Sequence, residues 1–543
     1  MFLPKIFSII KEGKLDKQQF LKDVIAGLVV AIIALPLSVA LAIASGVSPE
    51  KGIITAIIAG FIISLLGGSA VQIGGPTGAF VVIICGIIEK YGVQGLTIAT
   101  IMAGVLLVVF GLFKMGNLIK YIPYTITVGF TAGIAVVLFS TQVKDFLGLN
   151  ITSVPSNFIP KWQCYFTNLN TANHYSILIG LLCLIIITLW PKVNKTIPGS
   201  LIALIISTVI VSIFNMPVET IGSRFGQISS NISVINLNGI NIDTMKGLIQ
   251  PAITIAILAG IESLLSAVVA DGMVGDKHNS NTELIAQGLA NVGSALFGGI
   301  PATGAIARTA ANIKNGGRSP IAGMVHALTL LLIMIILMPY AKLIPMASLS
   351  AILIVVSYNM SGWRTVKDLL KAPKEDVAVL LITFILTVVF DLVIAIEIGM
   401  VLSMIVFIKE MCKNTIINKL ESHEYSHMHT DSKITDNVLL CEIKGPLFFG
   451  VTHNFREIIN KIDEKTKIVI LNMKQVPTMD ATAFNAIKNI HAHCKNKNIK
   501  LIFSELQEQP KKVFEKMSSL KNEDKKIFSS LNEALIAAGE FLK

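Results

Sequence analysis

Long apolar segments alternate with short polar connections over the first 413 residues of the chain. Because a helix needs about 20 apolar residues to cross a bilayer, each segment predicts a membrane-spanning helix. The third and the tenth segments are short and are interrupted by glycine and proline. The pattern predicts about fourteen membrane helices, near residues 24–45, 50–66, 74–89, 95–115, 122–143, 175–190, 198–214, 249–270, 283–298, 302–313, 319–340, 346–360, 375–391 and 393–408.

The last 130 residues follow a different pattern, in which strand-like stretches alternate with helical ones and no long apolar run occurs. They hold 19 of the 45 Lys and Arg residues and 16 of the 34 Asp and Glu residues. We therefore predict four parts. These are a cytoplasmic amphipathic helix on the membrane surface at 1–22, a transmembrane domain at 23–413, a polar linker at 414–436 and a small α/β domain at 437–543.

Composition excludes several classes of protein. Charged residues make up 15% of the chain, against about 25% in soluble proteins, and the mean hydropathy is +0.71. A soluble monomer, a disordered chain and a disulfide scaffold are excluded. The basic residues are spread along the chain, so the pI of 9.2 indicates no nucleic-acid partner. The six cysteines lack metal-binding spacing and no ATPase or kinase motif occurs, so we expect no metal, no cofactor and no enzyme activity.

The distribution of basic residues predicts the orientation of the helices, because cytoplasmic connections are enriched in Lys and Arg. With the N-terminus inside, the inner segments hold 18 of the 26 basic residues in the first 413 positions, and the outer segments hold seven. This bias and an even number of crossings place both termini in the cytoplasm. The chain is therefore predicted to be a multi-pass protein of the cytoplasmic (inner) membrane.

A short signature occurs twice, as GGPTGA at 74–79 and as GIPATGA at 299–305. The copies lie seven predicted spans apart, so the second is inverted relative to the first, which predicts a 7+7 inverted repeat. Interrupted helices at matching positions of two inverted halves indicate the midplane binding site of a transporter. The alternative is that these glycines serve only the close packing of helices in lipid.

Helices that begin halfway across the membrane favour an anion as the ligand. Each exposes unpaired backbone N–H groups and about half a positive charge at its N-terminus. Two such ends that face one another would form a dry pocket of N–H donors for a small anion. Arg308, six residues after Ala302, would add a full positive charge.

One acidic residue lies well inside a predicted span. Glu262 is near the middle of the eighth span, and Ser266 follows one turn later on the same face. An ionisable group at membrane depth usually marks a functional pathway. Because burial favours the neutral form of a carboxyl group, Glu262 is a candidate proton carrier, with a coupled cation as the alternative. A salt bridge between Glu262 and Arg308 that only locks the helices is a further alternative.

Two long runs carry a family resemblance. Residues 23–52 (DVIAGLVVAIIALPLSVALAIASGVSPEKG) and the run from IESLLSAVVADG at 261 through GGIPATGAIARTAANIKNGGRSPIAG at 298–323 resemble the SulP (sulfate permease) family of anion transporters, and the resemblance extends over nearly the whole chain. It implies fourteen helices in core and gate domains, a cytoplasmic STAS domain and a homodimer. The implied partners are the lipid bilayer, a small anion as substrate and a cytoplasmic protein that binds the STAS domain.

The resemblance also implies which residues form the site. Glu262 and Ser266 match the positions that hold the ion in sodium-coupled bicarbonate members, where they are Asp and Thr. Leu37 and Leu41 stand where many relatives place a Gln or Glu and an aromatic residue. The substrate-binding positions that it implies are Pro76, Thr77, Gly78, Ala79, Ala302, Thr303, Gly304, Ala305 and Arg308, together with Leu37 and Leu41.

Glu262 and Arg308 together favour proton-coupled symport of a larger anion, sulfate or a C4-dicarboxylate, by elevator-like alternating access. A sodium-coupled bicarbonate transporter and an anion channel of the same fold are the alternatives. A membrane enzyme or sensor with a STAS output domain has no residues to carry its catalysis.

The soluble domain contains one candidate regulatory motif, MDATAF at 479–484. It resembles the STAS loop whose Asp-Ser-Ser-Gly motif is phosphorylated in anti-sigma-factor antagonists. Thr482 matches the phosphoacceptor, whereas Ala483 replaces the usual glycine. The favoured alternative is that Asp480 only caps the helix that follows.

Cysteine labelling tests the predicted orientation. A cysteine introduced into the 150–174 connection, in a chain that lacks Cys164, should react with an impermeant thiol reagent added outside intact cells. The basic-residue bias places this connection outside. Labelling from the cytoplasmic side alone would invert the predicted topology.

Overall fold

The computed structural model separates into two compact units, Met1–Met400 and Val401–Lys543. Most of the predicted linker at 414–436 lies outside the described residues. The structure describes residues 3–13, 16–117, 123–155, 157–194, 197–226, 234, 242–390, 392–413, 415–419, 437–451, 458, 460, 462–463, 465–517 and 526–542.

Helices make up almost all of the first unit. Every predicted span falls on one of them. The range labelled α4 contains two helices, the third and the fourth spans, which meet at the non-helical residue Gly92, where φ is +68°. Among the described residues, eight helical segments are long and apolar enough to cross a membrane, which confirms the polytopic helical fold. The helices are α1 (Lys5–Lys11), α2 (Lys17–Ala44), α3 (Pro49–Leu66), α4 (Val81–Leu112), α5 (Tyr124–Leu147), α6 (Phe158–Thr167), α7 (His174–Val193), α8 (Gly199–Ile213), α9 (Ile221–Phe225), α10 (Ile242–Val274), α11 (Ser280–Leu296), α12 (Ile306–Lys314), α13 (Ile321–Ala341), α14 (Met346–Met360), α15 (Trp363–Leu369), α16 (Lys374–Val389) and α17 (Leu392–Lys413).

The membrane helices fall into two groups that pack mainly within themselves. One group contains α2, α3, α4, α10, α11, α12 and α13, and the other contains α5, α7, α8, α14 and α16. The first group consists of the first four spans of each predicted repeat, and the second comes from the last three. These groups are the core and the gate of the inverted-repeat fold.

The N-terminal helix α1 is anchored to the protein by one of its faces. Ile6 and Ile9 are buried, and Ile9 joins a small apolar cluster with Ala70, Val71, Ala270 and Ile313. The Nζ of Lys5 forms an ion pair with Asp276 at 2.8 Å. The opposite face carries Phe7 and Ile10 and is exposed. That this helix lies on the membrane surface stays a prediction from the sequence. The contact of this helix with core helices was not predicted. An apolar pattern does not distinguish a side chain that faces lipid from one that packs against the protein.

Buried polar side chains bond the backbone where the membrane helices are interrupted. Asn291 Nδ2 donates to the carbonyl of Ala302 and its Oδ1 accepts from the Ala302 N–H, both at 2.9 Å. The hydroxyl of Thr55 accepts from Ile300 N at 2.7 Å, and that of Thr309 accepts from Ile73 N at 3.1 Å. Since lipid offers no hydrogen bonds, irregular backbone at this depth requires such partners.

Strands β1 (Gly74–Gly75) and β2 (Thr303–Gly304) belong to the first unit. The second unit contains a sheet of five strands in the order β3 (Ile416–Lys419), β4 (Val438–Lys444), β5 (Ile468–Gln475), β6 (Lys500–Ser504) and β7 (Lys526–Phe528), in which β3 and β4 are antiparallel and the other neighbours are parallel. Helix α18 (Ala481–Asn496) begins after its N-cap residue, Asp480. Strand β3 lies inside the predicted linker, so the sheet begins earlier in the chain than predicted. The strand has four residues and only one buried side chain, Ile417, so its sequence shows no alternation of buried and exposed positions that would predict a strand. Helices α19 (Glu508–Met517) and α20 (Leu531–Leu542) follow later in the chain.

Replacing Asn291 tests how much its two hydrogen bonds stabilise the interrupted helix. Asn291→Ala leaves both backbone groups of Ala302 buried without partners, so we expect a loss of about 2–4 kcal/mol and a clearly lower unfolding temperature of the purified protein in detergent. Asn315→Ala is the control, since Asn315 is partly exposed and bonds only the carbonyl of Ala311. Equal unfolding temperatures for the two variants would show that Asn291 has no such role.

Candidate functional site

The two signatures meet at the centre of the core. Gly74–Gly75 (β1) pairs antiparallel with Thr303–Gly304 (β2), with Gly74 opposite Gly304 and Gly75 opposite Thr303. Beyond each strand a helix begins: a single 3-10 turn at Gly78–Phe80 leads into α4, and α12 starts at Ile306. The prolines before both helix starts favour an extended approach of the chain. Two half-helices of opposite direction thus start side by side.

Neither half-helix has a side chain that caps its first turn, within the residues that the structure describes. Thr77 and Ala305 are the N-cap residues, and neither makes a capping hydrogen bond. The first N–H groups of a helix then need another partner, and a bound anion supplies one. Gly78, Ala79 and Ala305 lie within these first turns and are buried.

Arg308 brings a full positive charge to this place. Its side chain is 3% exposed, and Nη2 donates to the carbonyl of Pro76 at 3.1 Å and to the hydroxyl of Ser38 at 3.3 Å. Nη1 is buried and has no hydrogen-bond partner in the part of the chain that the structure describes. No carboxylate of the described residues, Glu262 included, pairs with it. The alternative of a locking salt bridge between Glu262 and Arg308 is therefore not what the structure contains.

Gly75 makes room for the guanidinium of Arg308. A Cβ built on Gly75 would collide with Nη1 of Arg308, and the φ of +154° is one that L side chains rarely adopt. Gly75 of the first signature thus leaves the space that the guanidinium of Arg308, after the second signature, occupies.

Helix α10 contacts both half-helices through different residues. The hydroxyl of Thr77 donates to Oε2 of Glu262 at 3.0 Å, which ties the carboxyl group to the first half-helix. Ser266 Oγ donates instead to Thr309 Oγ1 on α12 at 3.4 Å. Glu262 is partly exposed, whereas Ser266 is buried. The two predicted coupling residues therefore bond different elements.

Ser263 is a site residue that the sequence did not reveal. Its Oγ lies 2.6 Å from Oγ1 of Thr303 and accepts from Gly304 N at 3.1 Å. Gln72 Nε2 donates to the carbonyl of Ser263 at 3.2 Å. Residues one position apart on a helix point in different directions. A helical spacing that places Glu262 and Ser266 on one face therefore does not predict a role for Ser263.

The remaining predicted positions are less closely involved. Leu41 is buried, and its Cδ2 lies 3.9 Å from a Cβ built on Gly78, so it borders the first half-helix. Leu37, one turn earlier on α2, is half-buried. Ala302 is held by Asn291 as described above. No group of three or more His, Cys, Asp or Glu side chains in the described chain is arranged to hold a metal ion.

The predicted regulatory motif lies at the start of α18. Asp480 Oδ1 accepts from Ala483 N at 2.7 Å, and its Oδ2 accepts from Phe449 N at 3.0 Å. This is helix capping plus a tether to a loop. Thr482 is exposed on the first turn.

Comparison with protein families decides the class of the molecule. Residues 20–383 match the sulfate permease family, and residues 429–534 match the STAS domain. The chain belongs to the sulfate permease family. Members of this family are transporters, so the chain is an anion transporter of the membrane and not an enzyme.

Two relatives support the assignment to this family, and one solved structure shares the fold. "Putative sulfate transporter YvdB" of Bacillus subtilis (strain 168) is 45% identical over 92% of this chain and 94% of its own. "Bicarbonate transporter BicA" of Picosynechococcus sp. is 30% identical over 92% of this chain and 91% of its own. The structure of murine Slc26a9, an anion transporter in the inward-facing state, superposes with a TM-score of 0.87 at 18% identity, covering 99% of this chain and 94% of that one. The last of these shows the fold alone.

Filling the space at Gly75 tests whether Arg308 needs it. Gly75→Ala should displace the guanidinium and weaken anion binding to the purified protein about as much as Arg308→Ala does. Gly86→Ala on α4 is the matched control, because nothing lies within 4 Å of a Cβ built there. Size-exclusion profiles would show that all three variants fold, and wild-type anion affinity in Gly75→Ala would contradict this account of Arg308.

Proposed function

We propose that this sulfate permease is a secondary active symporter that takes up sulfate or a C4-dicarboxylate together with protons. The observation that carries the proposal is the unneutralised Arg308 beside two uncapped half-helix starts. A full charge and two sets of N–H donors suit an anion that bears one or two negative charges. The relative named as a sulfate transporter supports an oxyanion as the substrate.

The contacts of Glu262 favour a proton over sodium as the coupling ion. A bound metal cation needs several oxygen ligands that converge on one point. Ser266, the second predicted ligand, bonds Thr309, while Glu262 bonds Thr77. A carboxyl group with one hydroxyl partner at membrane depth can instead take up a proton as the anion arrives.

Two alternative functions differ from proton-coupled symport in the gradient that drives the anion flux. A sodium-coupled bicarbonate transporter is favoured by the relative named as a bicarbonate transporter. An anion channel of the same fold would use the same positive pocket without coupling its flux to a second gradient. The proposal also includes elevator-like movement of the core against the gate, a homodimer in the inner membrane, cytoplasmic termini and a protein partner for the STAS domain.

Uptake into proteoliposomes tests the function. Labelled sulfate, fumarate and bicarbonate would each be offered with an imposed proton gradient, an imposed sodium gradient or neither. We expect accumulation of sulfate or fumarate driven by an inward proton gradient. Accumulation of bicarbonate driven by sodium would select the first alternative, and flux that follows only the anion's own gradient would select the channel.

Glu262→Gln tests the coupling residue, since glutamine keeps the size and hydrogen-bonding capacity of a neutral carboxyl group. Because anion and proton should each raise the affinity for the other by the same factor, the wild-type protein should bind anion more tightly as the pH falls. The variant should bind anion with little dependence on pH and lose proton-driven accumulation. Ser266→Ala is the comparison, and it should keep proton-driven uptake. A wild-type pH dependence in Glu262→Gln would assign the proton to another group.

A further inference from the structure

A cleft of about 320 Å³ lies between the core and the gate on the face opposite the N-terminus. The chain crosses to this face in α2, returns in α3 and reaches it again where the first half of α4 ends. One wall of the cleft comes from α4 and the start of α10, and the other from α5 and the end of α16. Its lining includes Ile83, Lys90, Tyr91, Gln250, Thr254 and Phe390.

The cleft follows the first half-helix outward from the anion site. Val82, near its deep end, is one turn after Gly78, where that half-helix starts. Lys90, at the other end, is twelve residues after Gly78, roughly 18 Å along the helix axis at 1.5 Å per residue. The same helix that presents its N-terminus to the anion therefore forms one side of the cleft.

A much smaller cavity with a mainly apolar lining adjoins the cleft. This second cavity has a volume of only about 20 Å³ and shares Ile83 and Thr254 in its lining with the cleft. That volume admits a water molecule but no anion. Phe130, Leu258 and Ile396 also line this narrow cavity, as does the exposed Glu397, whose negative charge disfavours an anion there.

Lys90 carries the positive charge of the cleft. Lys90 is exposed, and no other described residue that lines the cleft is charged. Its Nζ lies 5.1 Å from the centre of the Tyr91 ring, and Tyr91 Oη donates to the carbonyl of Gly247 at 3.1 Å. The aromatic ring thus joins α4 to α10 and supports the lysine at the rim.

We propose that this cleft is the outer vestibule of the transporter, in which Lys90 concentrates anions above the narrow cavity. The inference rests on the proposed function, because it assumes that the cargo is an anion that enters from this face. A unit charge about 8 Å from an anion in water raises the local concentration of a monoanion about 2.4-fold and of a dianion about sixfold. The effect should fade at high ionic strength because salt screens exposed charges.

Charge substitution at Lys90 tests the vestibule. In proteoliposomes at low ionic strength, Lys90→Gln should slow the initial uptake of subsaturating sulfate about sixfold, and Lys90→Glu about 33-fold, by the same Coulomb estimate applied to a dianion. Both rates should approach the wild-type rate in about 0.5 M of a salt that is not transported. Lys342→Gln is the matched control, since Lys342 is exposed on the same face but does not line the cleft.

Chemical labels separate charge from size. Lys90→Cys, in a chain without Cys85 and Cys164, would be modified from outside with an impermeant thiosulfonate that carries either a sulfonate or a trimethylammonium group. The cationic label should restore uptake, and the anionic label should slow it further. Equal effects of both labels, or Lys90→Gln indistinguishable from Lys342→Gln, would overturn the vestibule while anion transport stands. A wild-type protein that moves no anion under any gradient would instead overturn the proposed function, and the vestibule with it.

Discussion

Among the residues that the structure describes, no carboxylate neutralises the guanidinium of Arg308, which lies at membrane depth, and the arrangement of the candidate site follows from that constraint. An arginine at the centre of a bilayer costs about 2.5–3.5 kcal/mol on insertion scales. The structure offsets part of this with the carbonyl of Pro76 and the hydroxyl of Ser38 on Nη2, and leaves Nη1 unpartnered. A positive group held in this way is most stable when an anion is beside it.

The backbone obeys the same constraint as the arginine. Two helices that stop and restart inside a membrane leave N–H and C=O groups that lipid cannot satisfy. The β1–β2 pair bonds some of them, and Asn291, Thr55 and Thr309 bond others from neighbouring helices. Because these side chains hold the approach to each half-helix, the first turns themselves can stay uncapped and face a ligand. Polar side chains that bond the backbone before each half-helix thus leave the N–H groups of the first helical turns available for the proposed anion.

Much of this architecture is visible in the sequence because the strongest constraints act locally. Apolar length identified the spans, and proline with glycine at 74–79 and 299–305 located the interruptions. Contacts between distant residues were not visible. Ser263 adjoins Thr303, and Asn291 bonds Ala302, only because α10 and α11 pack beside the second interruption. The attachment of α1 through Ile9 and the strand β3 were not predicted for the same reason. In a short segment the sequence does not show which distant residues a buried isoleucine contacts.

Thr77 supplies a route by which a proton on Glu262 could be sensed by the anion. A hydroxyl has one hydrogen to donate, and in the structure Thr77 directs it to Oε2 of Glu262. If Glu262 carries the proposed proton, the carboxyl group can donate to Thr77 Oγ1 and release that hydrogen towards the start of the first half-helix. The pocket then gains a donor and loses a nearby negative charge in the same step. Proton and anion would thus be coupled through one hydrogen bond, with Arg308 as a constant positive charge on the other side.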